Sequence, residues 1–272
     1  MNQQMKIKYY CPVWGMKHLP LHEVLRKIKA SGYDGAEIAL DPDLVDVEAV
    51  KQLFDESGLE LLIQLPYPKD GAPDEMLAAY SSKMERLLQL QPVMINSHTG
   101  RDHFTFEQNA EFIRCAEELS GKHSIAVCHE THRGRFSYAA VVIEKYLEAF
   151  PDIKLTADLS HWCVVAESLL ENQQHIIDKV VPHCAYIHAR VGYAQGPQVP
   201  NPAAPEYEKE LQQHTKWWQQ IVDHHRQKQS SELIITPEFG PPPYLLPGEH
   251  AVERQYNMNL FMKGYLSKNL IV

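Results

Sequence analysis

Four residues with the chemistry of metal ligands recur in the second half of the chain, each near the end of a short apolar segment. They are Glu130, Asp158, His188 and Glu238, and the successive intervals between them are 28, 30 and 50 residues. If three carboxylates and one imidazole met at one point, the carboxylates would repel one another unless a cation lay between them. A set of mostly oxygen donors with one nitrogen suits Mn2+, Mg2+, Co2+ or Zn2+. We therefore predict one divalent metal ion held by these four residues.

The segments that carry these residues belong to a regular alternation of β-rich runs and helical stretches. Eight strands are predicted, at Lys6–Cys11, Ala36–Leu40, Leu61–Leu65, Val93–Ser97, Ile125–Glu130, Lys154–Asp158, Ala185–Arg190 and Leu233–Glu238. Eight such units are typical of parallel strands joined by right-handed crossovers, so we predict an α/β fold with one (β/α)8 TIM-barrel domain over residues 1–272. A doubly wound open sheet is the alternative, but no Gly-rich turn follows the first strand.

A closed barrel would bring the predicted ligands together, because the carboxyl ends of its strands meet at one face. The first two intervals each match one strand–helix unit. The third is longer because a Pro-rich segment, Gly196–Pro205, precedes the last strand. We predict that this segment is a long loop at the active-site face.

Four further residues are predicted to bind substrate in the same pocket. His98 follows the fourth strand, and His132 lies two residues after the first predicted ligand. His161 and Arg190 lie three and two residues beyond the second and third ligands, and we expect both at the mouth of the barrel. Imidazole and guanidinium groups beside a metal suit an anionic or polyhydroxylated substrate.

Two motifs give the chain a resemblance to a known superfamily. The second unit contains SGYDGAEI and the eighth contains ITPEFG. With these motifs the chain resembles the xylose isomerase-like TIM barrels, a group of sugar isomerases and epimerases related to endonuclease IV. The resemblance implies that the four predicted ligands hold one metal and that His161 contacts substrate. It does not select the reaction, because isomerases, epimerases, dehydratases and nucleases share the pattern.

The predicted chemistry is isomerisation or epimerisation of a sugar or a related hydroxy-carbonyl compound in carbohydrate metabolism. Glu130 and Glu238 would act as the catalytic acid and base, removing and returning a proton through an enediolate. We expect an unphosphorylated substrate, because the loops after the last two strands are rich in Pro, which has no backbone N–H to offer a phosphate. Tyr10 and Trp14 flank the end of the first strand, where they could stack on a sugar ring or pack in the core.

Three other functions remain open at this point. A metal-dependent dehydratase of a cyclic polyol would use the same first step, and a non-catalytic sugar-binding barrel would keep the fold without turnover. DNA repair of the endonuclease IV type is disfavoured, because the complete additional ligand set is not found. The net charge of −9 also opposes binding to phosphates.

Composition narrows the expected location and partners. The chain has no run of about 18 apolar residues, and its N-terminus lacks the apolar region of a signal peptide, so we expect a cytoplasmic protein without a membrane partner. Its five cysteines contain no CxxC pair and predict no disulfide framework. The expected partner is a small sugar or polyol, without nucleic acid. A homo-oligomer is also considered, because the adjacent Trp217 and Trp218 cannot both occupy the centre of one helical stripe, which leaves one for a subunit contact.

Overall fold

The computed structural model describes residues 5–66 and 71–272, which contain a closed barrel of eight parallel strands. The strands are β1 (Lys6–Pro12), β2 (Gly35–Ala39), β3 (Glu60–Leu65), β4 (Met94–Ser97), β5 (Ala126–Glu130), β6 (Leu155–Ala157), β7 (Cys184–His188) and β8 (Glu232–Thr236). They follow one another around the barrel in chain order, and β1 pairs with β8 to close it. The predicted TIM barrel is confirmed, and the β1–β8 pairing excludes an open sheet.

Helices connect the strands and cover the outside of the barrel. Within the described ranges they are α1 (Leu21–Ala30), α2 (Val47–Ser57), α3 (Pro73–Leu88), α4 (Phe106–His123), α5 (Ala140–Ala149), α6 (Ser160–Val165), α7 (Gln174–Val180), α8 (Glu208–Gln227) and α9 (Ala251–Asn269). They bury apolar stripes against the sheet, as α1 does with Val24, Leu25 and Ile28. The Pro-rich segment lies in the connection between β7 and α8, as predicted. None of the helices in the described ranges is long and apolar enough to cross a membrane.

The interior of the barrel changes from apolar to polar within two residues along five strands, β3, β4, β5, β7 and β8. One layer is filled by Tyr10, Leu62, Met94, Cys128, Tyr186 and Ile234. Side chains on a strand alternate between its two faces, so the next inward positions toward the carboxyl ends are polar. They include Gln64, Asn96, Glu130, His188 and Thr236. The barrel therefore has a hydrophobic floor beneath a polar chamber, and Tyr10 belongs to the floor.

The last three strands end one or two residues earlier than predicted. As a result Asp158, Arg190 and Glu238 lie just beyond the strand ends. At the first of these positions the backbone leaves the ladder, and the N–H of Asp158 donates instead to the hydroxyl of Thr131 (2.8 Å). All three side chains are nevertheless buried.

The two adjacent tryptophans of α8 both lie inside the chain. Trp217 and Trp218 are 1% and 0% exposed, and both belong to the hydrophobic core. The imidazole of His214 packs against both indoles, with ring centroids 5.0 and 5.7 Å away. The expectation that one of them is free for a subunit contact is therefore wrong, because α8 has apolar cover on more than one face.

Candidate active site

The four predicted metal ligands meet at the carboxyl end of the barrel. Two are the last residues of their strands, β5 and β7, and two lie in the loops that follow β6 and β8. Each offers one ligand atom, and these atoms all lie within 4.8 Å of one another. All four side chains are almost completely buried: those of Glu130, Asp158, His188 and Glu238. The structure thus forms a compact cluster of three carboxylates and one imidazole.

The imidazole of His188 has one nitrogen committed and one nitrogen facing the cluster. Its Nε2 lies 2.9 and 3.1 Å from the two carboxylate oxygens of Glu37, so Nε2 carries the donated proton. Its Nδ1 lies 3.2 Å from Oε2 of Glu238 and makes no hydrogen bond with a described residue. A carboxylate that receives the distal N–H is the usual device that orients a histidine toward a metal. The arrangement therefore presents Nδ1 to the centre of the cluster.

The carboxylates around His188 shift its pKa upward. Burial disfavours the imidazolium, but the facing carboxylates of Glu238, Glu37 and Glu130 outweigh burial and raise the pKa of His188 well above its ordinary value. The pocket thus has more negative than positive charge to accommodate. A second proton on His188 and a divalent cation at Nδ1 are alternative ways to balance that charge.

Glu130 is held in its ionised form by two neighbouring donors. Nδ2 of Asn96 donates to Oε2 of Glu130 (2.7 Å), and Nε2 of His98 lies 3.1 Å from the same oxygen. Burial opposes the charge of Glu130, yet the imidazoles of His98 and His188 hold its pKa well below the usual range. Nδ2 of Asn96 also donates to Glu37 (3.1 Å), so one amide joins the two carboxylates.

Asp158 is paired with the guanidinium of Arg190. Nη2 of Arg190 donates to Oδ2 of Asp158, and the hydroxyl of Ser160 donates to Oδ1. Burial raises the pKa of Asp158 to about 6, although the positive charge of Arg190 acts in the opposite direction. The guanidinium is 2% exposed and also lies 3.6 Å from Glu238. Each carboxylate oxygen has a second lone pair, so this pairing leaves Asp158 able to bind a cation as well.

Three of the predicted substrate-binding residues form a row of imidazoles beside the cluster. The rings of His98 and His132 lie 4.6 Å apart, and those of His132 and His161 lie 3.8 Å apart. Burial lowers the pKa of both His132 and His161 well below the ordinary value, so these two rings are neutral. His98, Glu130 and His132 form a second group whose ligand atoms lie close enough to hold a metal ion.

His161 does not lie at the mouth of the barrel, where it was expected. Its side chain is 0% exposed, and its Nε2 accepts a hydrogen bond from Nη2 of Arg190 (2.7 Å). Arg190, also expected at the mouth, is 2% exposed, so both residues are more buried than expected; His161 follows the start of α6 at Ser160 and packs against His132. Arg190, His132 and His98 do line the cavity described below.

Two residues of this site escaped the sequence analysis, Glu37 and Asn96. Glu37 lies in the motif SGYDGAEI, which was used only as a signal of the fold. It is an acidic residue within an otherwise apolar strand, and its position predicts an inward side chain near the carboxyl end of β2. Asn96 lies two residues before His98, on the inward face of β4.

The residues of the cluster fit a divalent cation. Two buried polar atoms in it, Nδ1 of His188 and Oε2 of Glu238, make no hydrogen bond with a described residue. Such atoms are costly to bury unless a ligand satisfies them. The donors are carboxylate oxygens and one imidazole nitrogen, which suit a hard or borderline metal ion rather than a thiolate-preferring one. Within the part of the chain that the structure describes, this cluster therefore combines the donor atoms of a metal site with buried polar atoms that lack a hydrogen-bond partner.

A cavity of about 550 Å³ opens directly onto this cluster. Its polar end is formed by Gln64, His98, Glu130, His132, Arg190 and Glu238. At the rim the rings of Trp14 and Tyr244 meet edge to face, 5.4 Å apart. Trp14 is half-buried and lines the cavity. Tyr10 and Trp14 were each expected either to stack on a sugar ring or to pack in the core. Tyr10 packs in the core, whereas Trp14 lines the cavity.

Comparisons with known proteins identify the fold. No protein-family model and no curated protein sequence matches the chain. Among solved structures, a 3-keto-D-glucoside 4-epimerase from E. coli has a TM-score of 0.64 at 14% identity, over 95% of this chain and 100% of that chain. A D-psicose 3-epimerase from Clostridium cellulolyticum H10, determined with D-tagatose, has a TM-score of 0.62 at 13% identity, over 95% and 98%. An AP endonuclease of family 2 from Brucella melitensis has a TM-score of 0.62 at 14% identity, over 95% and 98%.

The chain has the fold of these structures, a closed (β/α)8 barrel, as its sequence predicted. The similarity extends over nearly the full length of each chain. At 13–14% identity it identifies the fold alone. The chemistry must therefore be argued from the side chains of this chain.

Proposed function

We propose that this protein is a divalent-metal-dependent isomerase or epimerase of an unphosphorylated sugar or a related hydroxy-carbonyl compound, acting by proton transfer. One observation carries the proposal: the carboxylates of Glu130 and Glu238 line the same cavity and approach one point beside His188. Removing a proton next to a carbonyl and returning it on the other face needs two such groups. A D-psicose 3-epimerase and an L-ribulose 3-epimerase among the structural neighbours support this class of reaction.

The metal would be held by Glu130, Asp158, His188 and Glu238, the four members of the cluster. When bound, the cation would act as a Lewis acid that polarises a substrate carbonyl and favours loss of the neighbouring proton. The second imidazole–carboxylate group shares Glu130 with this cluster, so the two groups cannot be treated as independent sites.

The two glutamates differ in their surroundings, which suggests different roles. Glu130 receives hydrogen bonds from Asn96 and His98, so it is fixed and ionised. Oε2 of Glu238 makes no hydrogen bond with a described residue, although Arg190 lies 3.6 Å away. The less restrained Glu238 is the better candidate to take the first proton, and Glu130 would serve the opposite face of the enediolate. A carboxylate that already accepts two hydrogen bonds is the weaker base.

Substrate hydroxyls would be bound by the polar wall of the cavity. His98, His132 and Arg190 line it and offer donors and acceptors to a polyhydroxylated ligand. His161 would act through Arg190, whose Nη2 it holds by a hydrogen bond, and is proposed as a positioning residue.

The preference for an unphosphorylated substrate has support from the loop after β8. Barrels that bind phosphate often do so with backbone N–H groups after the last two strands. Here the N–H of Phe239 donates to Asn259 (2.8 Å), and the N–H of Gly240 donates to Gln198 (2.6 Å). Residues 241–243 are prolines and have no N–H. The backbone N–H groups of residues 239 and 240 are therefore already hydrogen-bonded, and residues 241–243 have none to offer a phosphate.

The proposal is tested first by binding of the metal. Titration of the protein with Mn2+ in a calorimeter should give one tight site per chain, and Asp158→Ala should abolish it. Glu238→Gln should keep part of the affinity, because an amide oxygen still ligates. Glu232→Gln is the matched control, since Glu232 lies at the opposite end of the same strand and pairs with Lys8. Full Mn2+ affinity in Asp158→Ala would contradict the ligand assignment.

The reaction is tested by NMR in D2O with the Mn2+-loaded protein. Unphosphorylated ketoses, aldoses and inositol derivatives should be screened for conversion and for deuterium at the reacting carbon. We expect deuterium in the product, and loss of most of the rate in Glu238→Gln but not in Glu232→Gln. Conversion with full retention of the substrate hydrogen would argue against transfer through a solvent-exchanging carboxylate.

Two alternatives give different signals in the same screen. A dehydratase would form an unsaturated or deoxy product, and a probable 3-DHS dehydratase is among the structural neighbours. A sugar-binding barrel would bind ligands without changing them. For nucleic acid, we propose that the chain is not a DNA-binding enzyme, because its net charge is −9, although endonuclease IV shares the fold.

A further inference from the structure

The cavity at the candidate active site has two chemically different ends. Next to the polar wall lies an apolar annex, which we define by Met16, Leu19, Leu21, Leu40, Val45 and Val50. These residues come from the β1–α1 connection, the start of α1, the end of β2 and the region of α2. Val13, Val24 and Ile38 add further apolar surface to the same side. The annex and the carboxylates belong to one continuous cavity.

The annex is unsuited to binding a small free sugar. A monosaccharide carries hydroxyl groups around its ring, and those groups lose hydrogen bonds to water when they enter an apolar pocket. The only charged residue on this side within the described ranges is Lys17. Its side chain is exposed, so its ammonium group can remain in water while the stem covers apolar surface. The annex therefore suits an apolar group.

Trp14 and Tyr244 mark the boundary between the two ends. Their rings touch edge to face, and the hydroxyl of Tyr244 accepts a hydrogen bond from Arg133 (3.1 Å). Gly240 packs so closely on the indole that a Cβ there would lie 2.4 Å from it. This packing fixes the position of Trp14. Aromatic faces bind the apolar side of a sugar ring and also tolerate an attached aromatic group.

We infer that the substrate is a carbonyl-bearing sugar derivative with an apolar substituent, such as an aryl or alkyl glycoside with a keto group on its ring, and that the substituent binds in the annex. The inference rests on the proposed function, since it assumes that the sugar part lies at Glu130 and Glu238. The polar wall binds the reacting ring, and the annex excludes water from the substituent. Burial of that group supplies binding free energy in proportion to its apolar area.

The test compares two glycosides that differ only in the substituent. Methyl and phenyl β-D-glucopyranoside, and the corresponding galactopyranosides, lack a carbonyl and serve as unreactive analogues, which are titrated into the Mn2+-loaded protein by calorimetry. We expect the phenyl glycosides to bind at least about tenfold more tightly than the methyl glycosides, because a phenyl ring buries far more apolar surface. The same titrations are then made with Val45→Asp, which places a charge in the annex.

A neighbouring residue provides the matched control. Leu44 is 80% exposed and does not line the cavity, whereas Val45 is 44% exposed and does. Because both positions are exposed, we expect them to tolerate a polar side chain without loss of the fold, and thermal unfolding of each variant checks this. We expect Val45→Asp to remove most of the advantage of the phenyl glycosides and to leave the methyl glycosides unchanged. Leu44→Asp should preserve the wild-type ratio.

The outcomes separate this inference from the function on which it rests. Equal affinities for both substituents, with the polar site intact, would overturn the annex and leave the proposed isomerase standing. The inference would also be overturned if Val45→Asp and Leu44→Asp changed the ratio of phenyl-glycoside to methyl-glycoside affinity by the same amount. If neither glycoside bound to protein that had taken up Mn2+, the sugar site and the annex would both be overturned.

Discussion

At the scale of single residues, the site depends on how one imidazole is oriented. Glu37 is 3% exposed and accepts the N–H of Nε2 of His188. The carboxylate thereby turns Nδ1 toward the other members of the cluster. The amide of Asn96 binds both Glu37 and Glu130, so the orientation is shared by three side chains.

Replacing Glu37 should therefore weaken metal binding although Glu37 is not a proposed ligand. We expect Glu37→Ala to reduce the affinity for Mn2+ by about 10–100-fold, as for other partners of metal-bound histidines. Glu37→Gln should restore much of the affinity, because its amide oxygen still accepts the N–H of Nε2. Calorimetric titration measures the affinity. NMR of the imidazole nitrogens reports whether the tautomer of His188 has changed.

A carboxylate at the other end of the barrel serves as control for this prediction. Glu60 lies at the start of β3, where it accepts hydrogen bonds from Lys8 and Tyr10. Glu60→Gln should leave the affinity for Mn2+ unchanged. If Glu37→Ala bound the metal as tightly as the wild type, the orienting role would be contradicted.

At the scale of elements, the loops after β6 and β7 are held together at a point without space for a side chain. A Cβ on Gly192 would lie 2.6 Å from the Cα and from the carbonyl oxygen of Ser160. Ser160 in turn binds Asp158 and accepts a hydrogen bond from Nε of Arg190 (3.1 Å). The contact between these loops therefore sets the distance between a proposed ligand and the guanidinium beside it.

We predict that Gly192→Ala separates the two loops and weakens the site. The expected loss is about 1–3 kcal/mol in the free energy of unfolding, because the added methyl group meets backbone atoms. The affinity for Mn2+ should fall in parallel. Chemical denaturation and calorimetry measure the two effects. Gly121→Ala is the control: its Cβ would meet nothing within 4 Å in α4, so it should stabilise the chain by up to about 1 kcal/mol. Unchanged stability in Gly192→Ala would contradict the close contact.

At the scale of the whole molecule, a buried neutral histidine connects the outer helix layer to the site. Nδ1 of His214 donates to the carbonyl of Glu210 within α8 (2.9 Å), and its Nε2 accepts the N–H of Gly192 (3.2 Å). Burial lowers the pKa of His214 to about 4 from 6.5. Protonation of Nε2 would break the hydrogen bond to Gly192 and place a charge in the core.

The stability of the protein should therefore decrease with acid through this histidine. Between pH 6.5 and pH 4 the unfolded chain binds the proton more readily than the folded chain, so stability rises with pH in that window. The contribution is fully present above about pH 6.5 and is lost as the pH falls toward 4, with a total of about 3 kcal/mol. Urea unfolding at several pH values measures this slope. His214→Gln should flatten it, whereas His103→Gln, at an exposed position, should not. An unchanged slope in His214→Gln would contradict the prediction.

The amino-acid sequence by itself determined the architecture and the main cluster. The eight strands were predictable because the alternation of short apolar runs with helical stretches is a local property of the chain. Closure of a barrel then brings the carboxyl ends of successive strands together wherever their polar residues fall. The proximity of Glu130, Asp158, His188 and Glu238 follows from that topology, without knowledge of any side-chain conformation.

Only the tertiary structure decided which partner each side chain has. Glu37 and His188 are 151 residues apart, and their pairing depends on the register and curvature of the closed sheet. The burial of His161 likewise depends on the inward turn at α6, and the cover over Trp217 and Trp218 depends on how α8 packs. The apolar annex is formed by side chains from separate connections, none of which carries a distinctive motif. Hydrogen bonds and apolar contacts act over a few ångströms, so these choices are set by three-dimensional neighbours that sequence periodicity does not specify.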